Sequence, residues 1–193
     1  YPTGYTGTGK STLGSTTDND SNIDPTTGTS DNIVLTAGQV LTNVDAGIYQ
    51  FASIGNYIWD DKNGNGIQEP TESGINGVTV LLKNAAGTTV QTAVTTTNGA
   101  TSGYYQFANL VPATYTVMVM SPTGYTISKI DAPGSTDLTD SDFNPSTGNT
   151  TPINLVSGEN NQTIDGGIYQ AANIGNYVWR DTDGDGIQDA TEV

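Results

Sequence analysis

The sequence contains no cysteine, so disulfide bonds contribute nothing to its stability. Small secreted domains that lack disulfides usually need another source of stability, such as a bound metal. Histidine is absent as well, and no base is placed to activate the many Ser and Thr hydroxyl groups. We therefore expect a protein that is not an enzyme.

Basic residues are scarce, with five Lys and Arg against 20 Asp and Glu and a formal net charge of −15. Binding to nucleic acid needs basic patches, and anionic membrane surfaces also attract basic segments, so neither is expected as a partner. No apolar run approaches the roughly 20 residues of a transmembrane helix. The sequence starts at Tyr1 with no visible signal peptide, and we expect it to be part of a longer or processed protein.

The sequence repeats itself at a distance of 120 positions. Residues 1–73 align with residues 121–193 without a gap, and 34 of the 73 pairs are identical. "IGNYIW" at Ile54 recurs as "IGNYVW" at Ile174, and "DAGIYQ" at Asp45 recurs as "DGGIYQ" at Asp165. A gapless period of this length indicates a repeated domain, because solenoid units are much shorter.

The repeat predicts three parts in a tandem array. Residues 1–52 are the C-terminal part of a preceding repeat, residues 53–170 are one complete repeat, and residues 171–193 are the N-terminal part of a following repeat. The two flanking parts cannot complete each other, because residues 74–120 have no second version in the sequence.

The complete repeat shows the pattern of β-strands throughout. "GVTVLL", "YYQFANL" and "TYTVMVM" are short, alternating and rich in Val, Tyr and Phe, and "GYTISKI", "PINLV" and "TIDGGIYQ" continue the series. Gly, Asn and Pro turns lie between them, and no stretch has a sustained helical period. The predicted fold class is all-β, an antiparallel Greek-key β-sandwich of about seven or eight strands.

Two acidic loops, "DKNGNGIQEPTE" and "DTDGDGIQDATE", fit the twelve-position pattern of a calcium loop. Oxygen-bearing side chains stand at positions 1, 3, 5 and 9, Gly at position 6 permits a sharp turn, and Glu stands at position 12. The Ile at position 7 would offer its backbone carbonyl. The predicted metal ligands are Asp61, Asn63, Asn65, Ile67, Glu69 and Glu72 in the first loop, and Asp181, Asp183, Asp185, Ile187, Asp189 and Glu192 in the second.

A simpler alternative is an Asn-Gly hairpin tip with solvated acids, but the match at six positions in both copies favours calcium (Ca²⁺) as the cofactor. Each loop follows a strand rather than a helix, so the pattern is typical of a calcium loop built into a β-domain. The first loop has three acids and the second has five. Because more carboxylates favour a cation, we predict tighter binding by the second loop within an intact domain.

A second group of acids lies in "STTDNDSNIDPTTG" and in its counterpart "STDLTDSDFNPSTG". The acids do not stand at fixed positions across the pair, although Asp20 and Asp140 match. These segments are either solvated Asx-turn loops or additional calcium sites. The candidate residues are Asp18, Asp20, Asp24 and Asp45 in one copy, and Asp137, Asp140, Asp142, Asn144 and Asp165 in the other.

Taken together, "IGNYVWRDTDGDGIQDATE", "GINGVTVLLKN", "GYYQFANLVPATYTV", "DSDFNPSTG" and "DGGIY" resemble the B-type repeats of serine-aspartate-repeat surface proteins. The resemblance implies a transthyretin-like or collagen-adhesin B-type sandwich that calcium makes rigid. It also implies a stalk, spacer, filament or sheath role at the bacterial cell surface or in a secreted filament. Neighbouring copies of the repeat would be the partners, and the metal residues of the family would correspond to the two calcium loops.

Some collagen-adhesin B-type domains carry a Lys–Asn isopeptide bond that a buried acid catalyses. In such domains the acid stands four residues before the Pro of a "PxGY" turn, and Met118 occupies that position here. The complete repeat has only three lysines, Lys62, Lys83 and Lys129. We therefore expect no cross-link of this kind.

An adhesive or carbohydrate-binding module is the competing function, with a host or surface molecule as its ligand. Such a module needs an exposed row of aromatic side chains. Tyr57 and Trp59 alternate along one strand, and the sequence alone does not say which face of that strand is exposed.

Overall fold

The computed structural model describes residues 1–10 and 20–192, and these contain strands but no helix. Accordingly, the described residues include no helix that could cross a membrane. In chain order the strands are β1 (Thr6–Gly7), β2 (Ile48–Tyr49), β3 (Ala52–Asp60), β4 (Thr79–Asn84), β5 (Thr89–Val94), β6 (Thr96–Asn98), β7 (Thr101–Leu110), β8 (Thr114–Met120), β9 (Tyr125–Ile127), β10 (Ile153–Asn154), β11 (Asn160–Asn161) and β12 (Gly166–Gln170).

Strands β3 to β12 form two sheets. One sheet has the order β10-β8-β4-β5, and the other has the order β6-β7-β3-β12-β9, with β11 beside β3. In β8 the side chains alternate between half-buried and buried, as the alternation of "TYTVMVM" predicts for a strand with one face on a core. This alternation places Tyr115, Val117 and Val119 between the sheets.

One continuous core lies between the two sheets. Its largest fully buried side chains come from both of them, including Ile54 and Ile58 of β3, Leu82 of β4 and Phe107 of β7. Two sheets that share one apolar core make a β-sandwich, so the predicted fold class is confirmed.

The first and last strands of the sandwich run parallel, whereas most strand pairs are antiparallel. Gly166 of β12 lies opposite Ile58 of β3 in a parallel register, and β11 also pairs with β3 in parallel. The prediction of a purely antiparallel sandwich missed this detail. The chain enters the sandwich at the start of β3 and leaves it at the end of β12, and these two points lie at opposite ends of the sandwich. Both strands therefore run in the same direction, so they can pair only in parallel.

The prediction missed strands β5 and β6, and two predicted strands are shorter in the structure. Strand β5 is an outer strand that pairs only with β4, and most of its side chains are exposed. Its two Thr residues and Gln91 fit that position, because polar side chains of an outer strand can face solvent. Segments "GYTISKI" and "PINLV" contribute only Tyr125–Ile127 and Ile153–Asn154.

The part before the sandwich repeats local bonds of the sandwich itself. The Thr8 N–H donates to the Gly47 carbonyl at 2.8 Å, as the Ser128 N–H donates to the Gly167 carbonyl at 2.8 Å. The Asn22 N–H likewise donates to the Asp45 carbonyl at 2.9 Å, as the Asp142 N–H donates to the Asp165 carbonyl at 2.9 Å. Described residues of the preceding part therefore repeat individual hydrogen bonds of residues 121–170, at positions 120 apart.

The part after the sandwich behaves differently. Ile174 and Val178 are fully exposed and belong to no strand, whereas their counterparts Ile54 and Ile58 are fully buried in β3. Nearly the same sequence is a central strand in one copy and extended chain in the other. Formation of this strand therefore depends on β7 and β12 as neighbours rather than on local propensity.

Truncation of a core side chain should test the sandwich. Phe107→Ala removes a fully buried ring and should lower the free energy of unfolding by about 3–5 kcal/mol, because a cavity remains where the ring packed. Val94→Ala, at a side chain that is 51% exposed, should change it by less than about 0.5 kcal/mol. Urea denaturation followed by circular dichroism measures both, and equal effects would contradict the assignment of the core.

Candidate metal centre

The first acidic loop begins where β3 ends, and Asp61 organises it. The Asp61 side chain is fully buried, and its carboxylate accepts hydrogen bonds from the N–H groups of Gly64 and Gly66, both at 2.8 Å. The Asn65 N–H adds a third bond at 3.2 Å. Gly64 and Gly66 both have positive φ, a conformation that glycine adopts without steric cost. The backbone thus curls around the first predicted ligand.

Two asparagines continue the curl. The Asn63 Oδ1 accepts from the Asn65 N–H at 2.9 Å, and the Asn65 Oδ1 accepts from the Ile67 N–H at 2.7 Å. The Nδ2 groups of Asn63 and Asn65 both donate to Oε1 of Glu69, at 3.4 and 2.6 Å. Side chains at loop positions 3, 5 and 9 therefore lie next to one another, and their role as ligands of one cation stays a prediction.

Glu72 closes the loop. One carboxylate oxygen accepts from the Lys62 N–H at 2.8 Å, and the other accepts from the Glu69 N–H at 3.2 Å. Burial raises the pKa of Glu72, whereas the hydrogen bond from Asn65 lowers the pKa of Glu69. The last predicted ligand thus bonds to the backbone at loop positions 2 and 9 and holds the ends of the loop together.

The Glu69 carboxylate has one oxygen, Oε2, that is inaccessible to solvent and has no hydrogen-bond partner. A buried carboxylate oxygen without a partner is costly unless a cation or another donor satisfies it. Ca²⁺ takes six to eight oxygen ligands from carboxylates, amide side chains and backbone carbonyls. The donor set of residues 61–72 is of this kind, so these residues fit a calcium ion.

The second loop, residues 181–192, repeats the bonds from backbone N–H groups to side chains in a more exposed setting, whereas the bonds from Asn63 and Asn65 to Glu69 have no counterpart there. Asp181 accepts from the N–H groups of Gly184 and Gly186 at 2.7 and 2.9 Å, and these bonds lower its pKa. Carboxylate oxygens of Asp181, Asp183 and Asp185 lie within 4.8 Å of one another. The geometry of the loop is therefore a property of its own sequence.

The remaining predicted ligands of this loop also match the first. Glu192 accepts from the Thr182 N–H at 2.7 Å and from the Asp189 N–H at 3.1 Å, and the bond from Thr182 is the main reason that its pKa is lowered. The Ile187 side chain is 62% exposed, whereas that of Ile67 is half-buried. The difference arises because no other strand packs against this loop within the described part of the chain.

The second acidic group lies beside the first loop. Ile67 and Asp140 form an antiparallel β-bridge, and the Gln68 N–H donates to the Thr139 carbonyl at 2.8 Å. Carboxylate oxygens of Asp137, Asp140 and Asp142 lie within 4.8 Å of one another. The structure thus joins two acidic segments that lie about 70 residues apart in the sequence.

Asp140 is the buried member of this acidic group, with 8% of its surface exposed, and its Oδ1 has no hydrogen-bond partner. Burial raises the pKa of Asp140, and the charges of Asp131 and Asp137 add to the rise. The prediction missed Asp131, whose N–H donates to the Ser141 carbonyl at 3.1 Å. Its counterpart in the other copy is Ser11, so comparison of the two copies gave no signal for it.

Asp142 and Asp165 form an acidic pair in which Asp165 is fully buried and Asp142 is half-buried. The Asp165 N–H donates to the Asp142 carboxylate at 2.7 Å, and the Asp142 N–H donates to the Asp165 carbonyl at 2.9 Å. The Asp165 carboxylate accepts from the Tyr57 N–H at 3.0 Å and from Asn56 Nδ2 at 3.2 Å. Burial, together with neighbouring acids, raises the pKa of Asp142 to about 7 and the pKa of Asp165 to about 8.

The other candidate residues have local roles in turns. The Asn144 Oδ1 accepts from the N–H groups of Ser146 and Thr147, and Asp24 does the same at the matching turn of residues 24–27.

In the preceding part, Asn22 takes the place of Asp142. The Asp45 N–H donates to the Asn22 Oδ1 at 2.7 Å, and Asn22 Nδ2 donates to Asp20 at 3.1 Å. Asp18 lies outside the described residues.

The lysine considered for a cross-link lies near an asparagine. The Lys83 Nζ is 3.3 Å from the Asn149 Oδ1 and 3.0 Å from the Met118 Sδ. A thioether cannot donate or accept the proton that amide-bond formation transfers. The group at the position of the catalytic acid therefore has no acid–base function.

The sequence is similar to a known family and to known surface proteins. The family described as SdrD B-like domain matches residues 52–168. Serine-aspartate repeat-containing protein F of Staphylococcus epidermidis is 40% identical over 194 residues, which cover 99% of this chain and 11% of that protein. Serine-aspartate repeat-containing protein D of Staphylococcus aureus (strain Newman) is 39% identical over 163 residues, covering 83% of this chain and 12% of that protein.

The chain therefore spans only a small part of the length of these relatives. Among solved structures, GBS52, the minor pilin of Streptococcus agalactiae, aligns with a TM-score of 0.42 and 13% identity, over 75% of this chain and 60% of that one.

The acidic pair of Asp142 and Asp165 predicts a pH dependence of stability in the presence of a chelator. The ordinary pKa is 3.8, whereas the folded values are about 7 for Asp142 and about 8 for Asp165. Stability from these groups is fully present below pH 3.8 and is lost as pH rises through about 8, because the unfolded state releases its protons first. Asp165→Asn should reduce this loss, as measured by urea denaturation at several pH values. If the free energy of unfolding has the same slope against pH in the unsubstituted chain and in Asp165→Asn, the raised pKa of Asp165 is refuted.

The difference in acids between the two loops predicts that substitution can strengthen calcium binding by the first loop. Asn63→Asp combined with Asn65→Asp gives the first loop the acids of the second, and should lower the melting temperature in chelator but increase the gain from calcium. The reason is that added carboxylates repel each other until a cation neutralises them. Calorimetric titration and thermal unfolding measure both effects.

A matched control for this exchange is Asn98→Asp combined with Asn154→Asp, two exposed positions outside the loops that change the net charge equally. A calcium response of this control equal to that of the loop variant would show that net charge alone is responsible.

Proposed function

Because the chain belongs to the family of SdrD B-like domains, we propose that it is a calcium-rigidified structural repeat of a bacterial extracellular surface protein. Membership in this family confirms the resemblance noted in the sequence. The repeat would act as a stalk, a spacer or a building block of a filament, without catalysis. Its location would be the cell surface or a secreted filament.

The observation that carries the proposal is the connection between loop 61–72 and the acidic segment 137–142. The β-bridge between Ile67 and Asp140 brings both groups of carboxylates to the same end of the sandwich. In each group a buried carboxylate oxygen lacks a partner, Oε2 of Glu69 in one and Oδ1 of Asp140 in the other. Two clusters of negative charge in contact destabilise the fold unless cations balance them.

Residues 61–72 would hold one calcium ion, and Asp131, Asp137, Asp140 and Asp142 would hold another. Bound calcium supplies positive charge and replaces missing hydrogen-bond donors. Residues of the chain would do the rest. The Asp61 N–H donates to the Ile168 carbonyl of β12 at 3.0 Å. A loop held in one conformation would therefore also hold the last strand of the repeat in place.

The alternative function, adhesion through an aromatic surface, has less support. Residues 52–170 are all described, and each of their aromatic side chains is buried or half-buried. Trp59 is fully buried, and Tyr57 packs edge-on against Tyr104 with ring centroids 5.5 Å apart. A flat aromatic platform for sugars is therefore not formed by these strands.

Thermal unfolding of the full chain with calcium and with a chelator tests the proposal. A site that binds calcium only in the folded state adds about 2.7 kcal/mol at a hundredfold excess over Kd, so calcium should raise the melting temperature of residues 52–170. Magnesium at equal concentration should do less, because it demands a smaller octahedral site. A melting temperature that ignores calcium would refute this function.

The two loops provide a matched pair of variants for this experiment. Glu72→Gln removes one charge from the loop that is packed in the sandwich, and should reduce the rise in melting temperature caused by calcium. Glu192→Gln makes the same change in the exposed loop and should leave that rise intact, because that loop packs against no described strand. Equal responses would show that the calcium effect does not arise at residues 61–72.

A further inference from the structure

An apolar cavity of about 470 Å³ lies at the end of the sandwich opposite the acidic loops. The β4–β5 turn and the β7–β8 turn line it, and none of its lining residues is charged. Val90 and Val111 at its rim are 46% and 49% exposed. In a chain with a net charge of −15, a recess without charge and with exposed apolar side chains indicates a protein contact.

The end of the preceding repeat lies beside this cavity without lining it. Ala52 pairs with Leu110, a lining residue, and so brings Phe51 to the same end of the sheet. Phe51 is 44% exposed and packs edge-on against Tyr49, with ring centroids 5.5 Å apart. Burial, and after it the nearby Tyr49 hydroxyl, raises the pKa of Tyr115, which also lines the cavity.

Two hydrogen bonds of the Gln50 backbone hold the connection between the two repeats against residues 157 and 158. The Gln50 N–H donates to the Ser157 Oγ at 2.8 Å, and the Gly158 N–H donates to the Gln50 carbonyl at 3.1 Å. Only residues 50 and 51 separate β2 from β3. A connection this short keeps the preceding copy next to the cavity, whatever its orientation.

At the other end of the sandwich, the counterpart of Tyr49 contacts the first acidic loop. A Cβ placed on Gly64 would lie 3.9 Å from the ring of Tyr169, and Lys62, Asn63 and Tyr169 line a common groove of about 320 Å³. This tyrosine position therefore has two neighbours, the acidic loop of its own repeat and the apolar end of the following repeat.

We propose that the apolar end of each repeat is the surface on which the preceding copy of the repeat docks. Tyr49 and Phe51 are the residues of the preceding copy that make the contact, and Val111 and Tyr115 receive them. We call this contact the joint. The tyrosine position also contacts the acidic loop of its own repeat, as Tyr169 does, and so connects that loop to the joint. The influence of calcium on the joint rests on the proposed function, whereas the docking surface itself does not.

The absence of cysteine permits a direct test on the full chain. Spin labels at Thr26→Cys and Ala100→Cys, two exposed positions in the preceding part and in the sandwich, report the distance between them by pulsed electron paramagnetic resonance. With calcium present, the distance distribution should be narrow. Phe51→Ser and Val111→Ser should each broaden it, because they remove exposed apolar side chains from the joint and leave the core unchanged.

Val94→Ser is the matched control, since this valine is 51% exposed and does not line the cavity. Its distribution should stay as narrow as that of the unsubstituted chain. A broad distribution in the unsubstituted chain, or equal distributions in all three variants, would overturn the docking surface. Melting curves of each variant verify that residues 52–170 remain folded.

The same samples in chelator separate this proposal from the calcium function. If calcium does not change the melting temperature, but Phe51→Ser and Val111→Ser still broaden the distribution, the docking surface is supported and the calcium function fails. If calcium raises the melting temperature while both variants match Val94→Ser, the calcium function is supported and the docking surface fails.

Discussion

The bonds between the Asp61 carboxylate and the backbone N–H groups that curl around it are the interaction on which the rest of the acidic end depends. They set the shape of loop 61–72, and that shape allows Ile67 to pair with Asp140. The N–H of the same residue is bonded to β12. One buried aspartate thus joins the first strand, the acidic loop, the acidic segment and the last strand of the repeat.

Local sequence was sufficient to predict some features and insufficient for others. The bonds from glycine N–H groups to the first aspartate are the same in loops 61–72 and 181–192 although the surroundings differ, so the twelve-position pattern is sufficient to predict them. Strand β3 shows the opposite case, because its counterpart at Ile174 remains extended and exposed. Side-chain alternation predicts the strand, but only its neighbours make it form.

The acidic segment 137–142 marks the limit of prediction from sequence for a different reason. It lies beside the first loop because the chain returns there after about 70 residues. A local sequence pattern holds no information about that return. Asp131 was missed because the other copy has Ser11 at that place, and the raised pKa values of Asp142 and Asp165 come from burial that composition cannot show. Proximity of like charges, rather than residue type, distinguishes this cluster from solvated turns.

The parallel pairing of β3 with β12 has a mechanical consequence. A load applied between Ala52 and Gln170 would pull the two neighbouring strands in opposite directions along their length. Their hydrogen bonds lie across the direction of pull and are loaded together in shear, rather than opened one after another as when a hairpin is peeled apart. Extension of residues 52–170 would therefore require these bonds to break together.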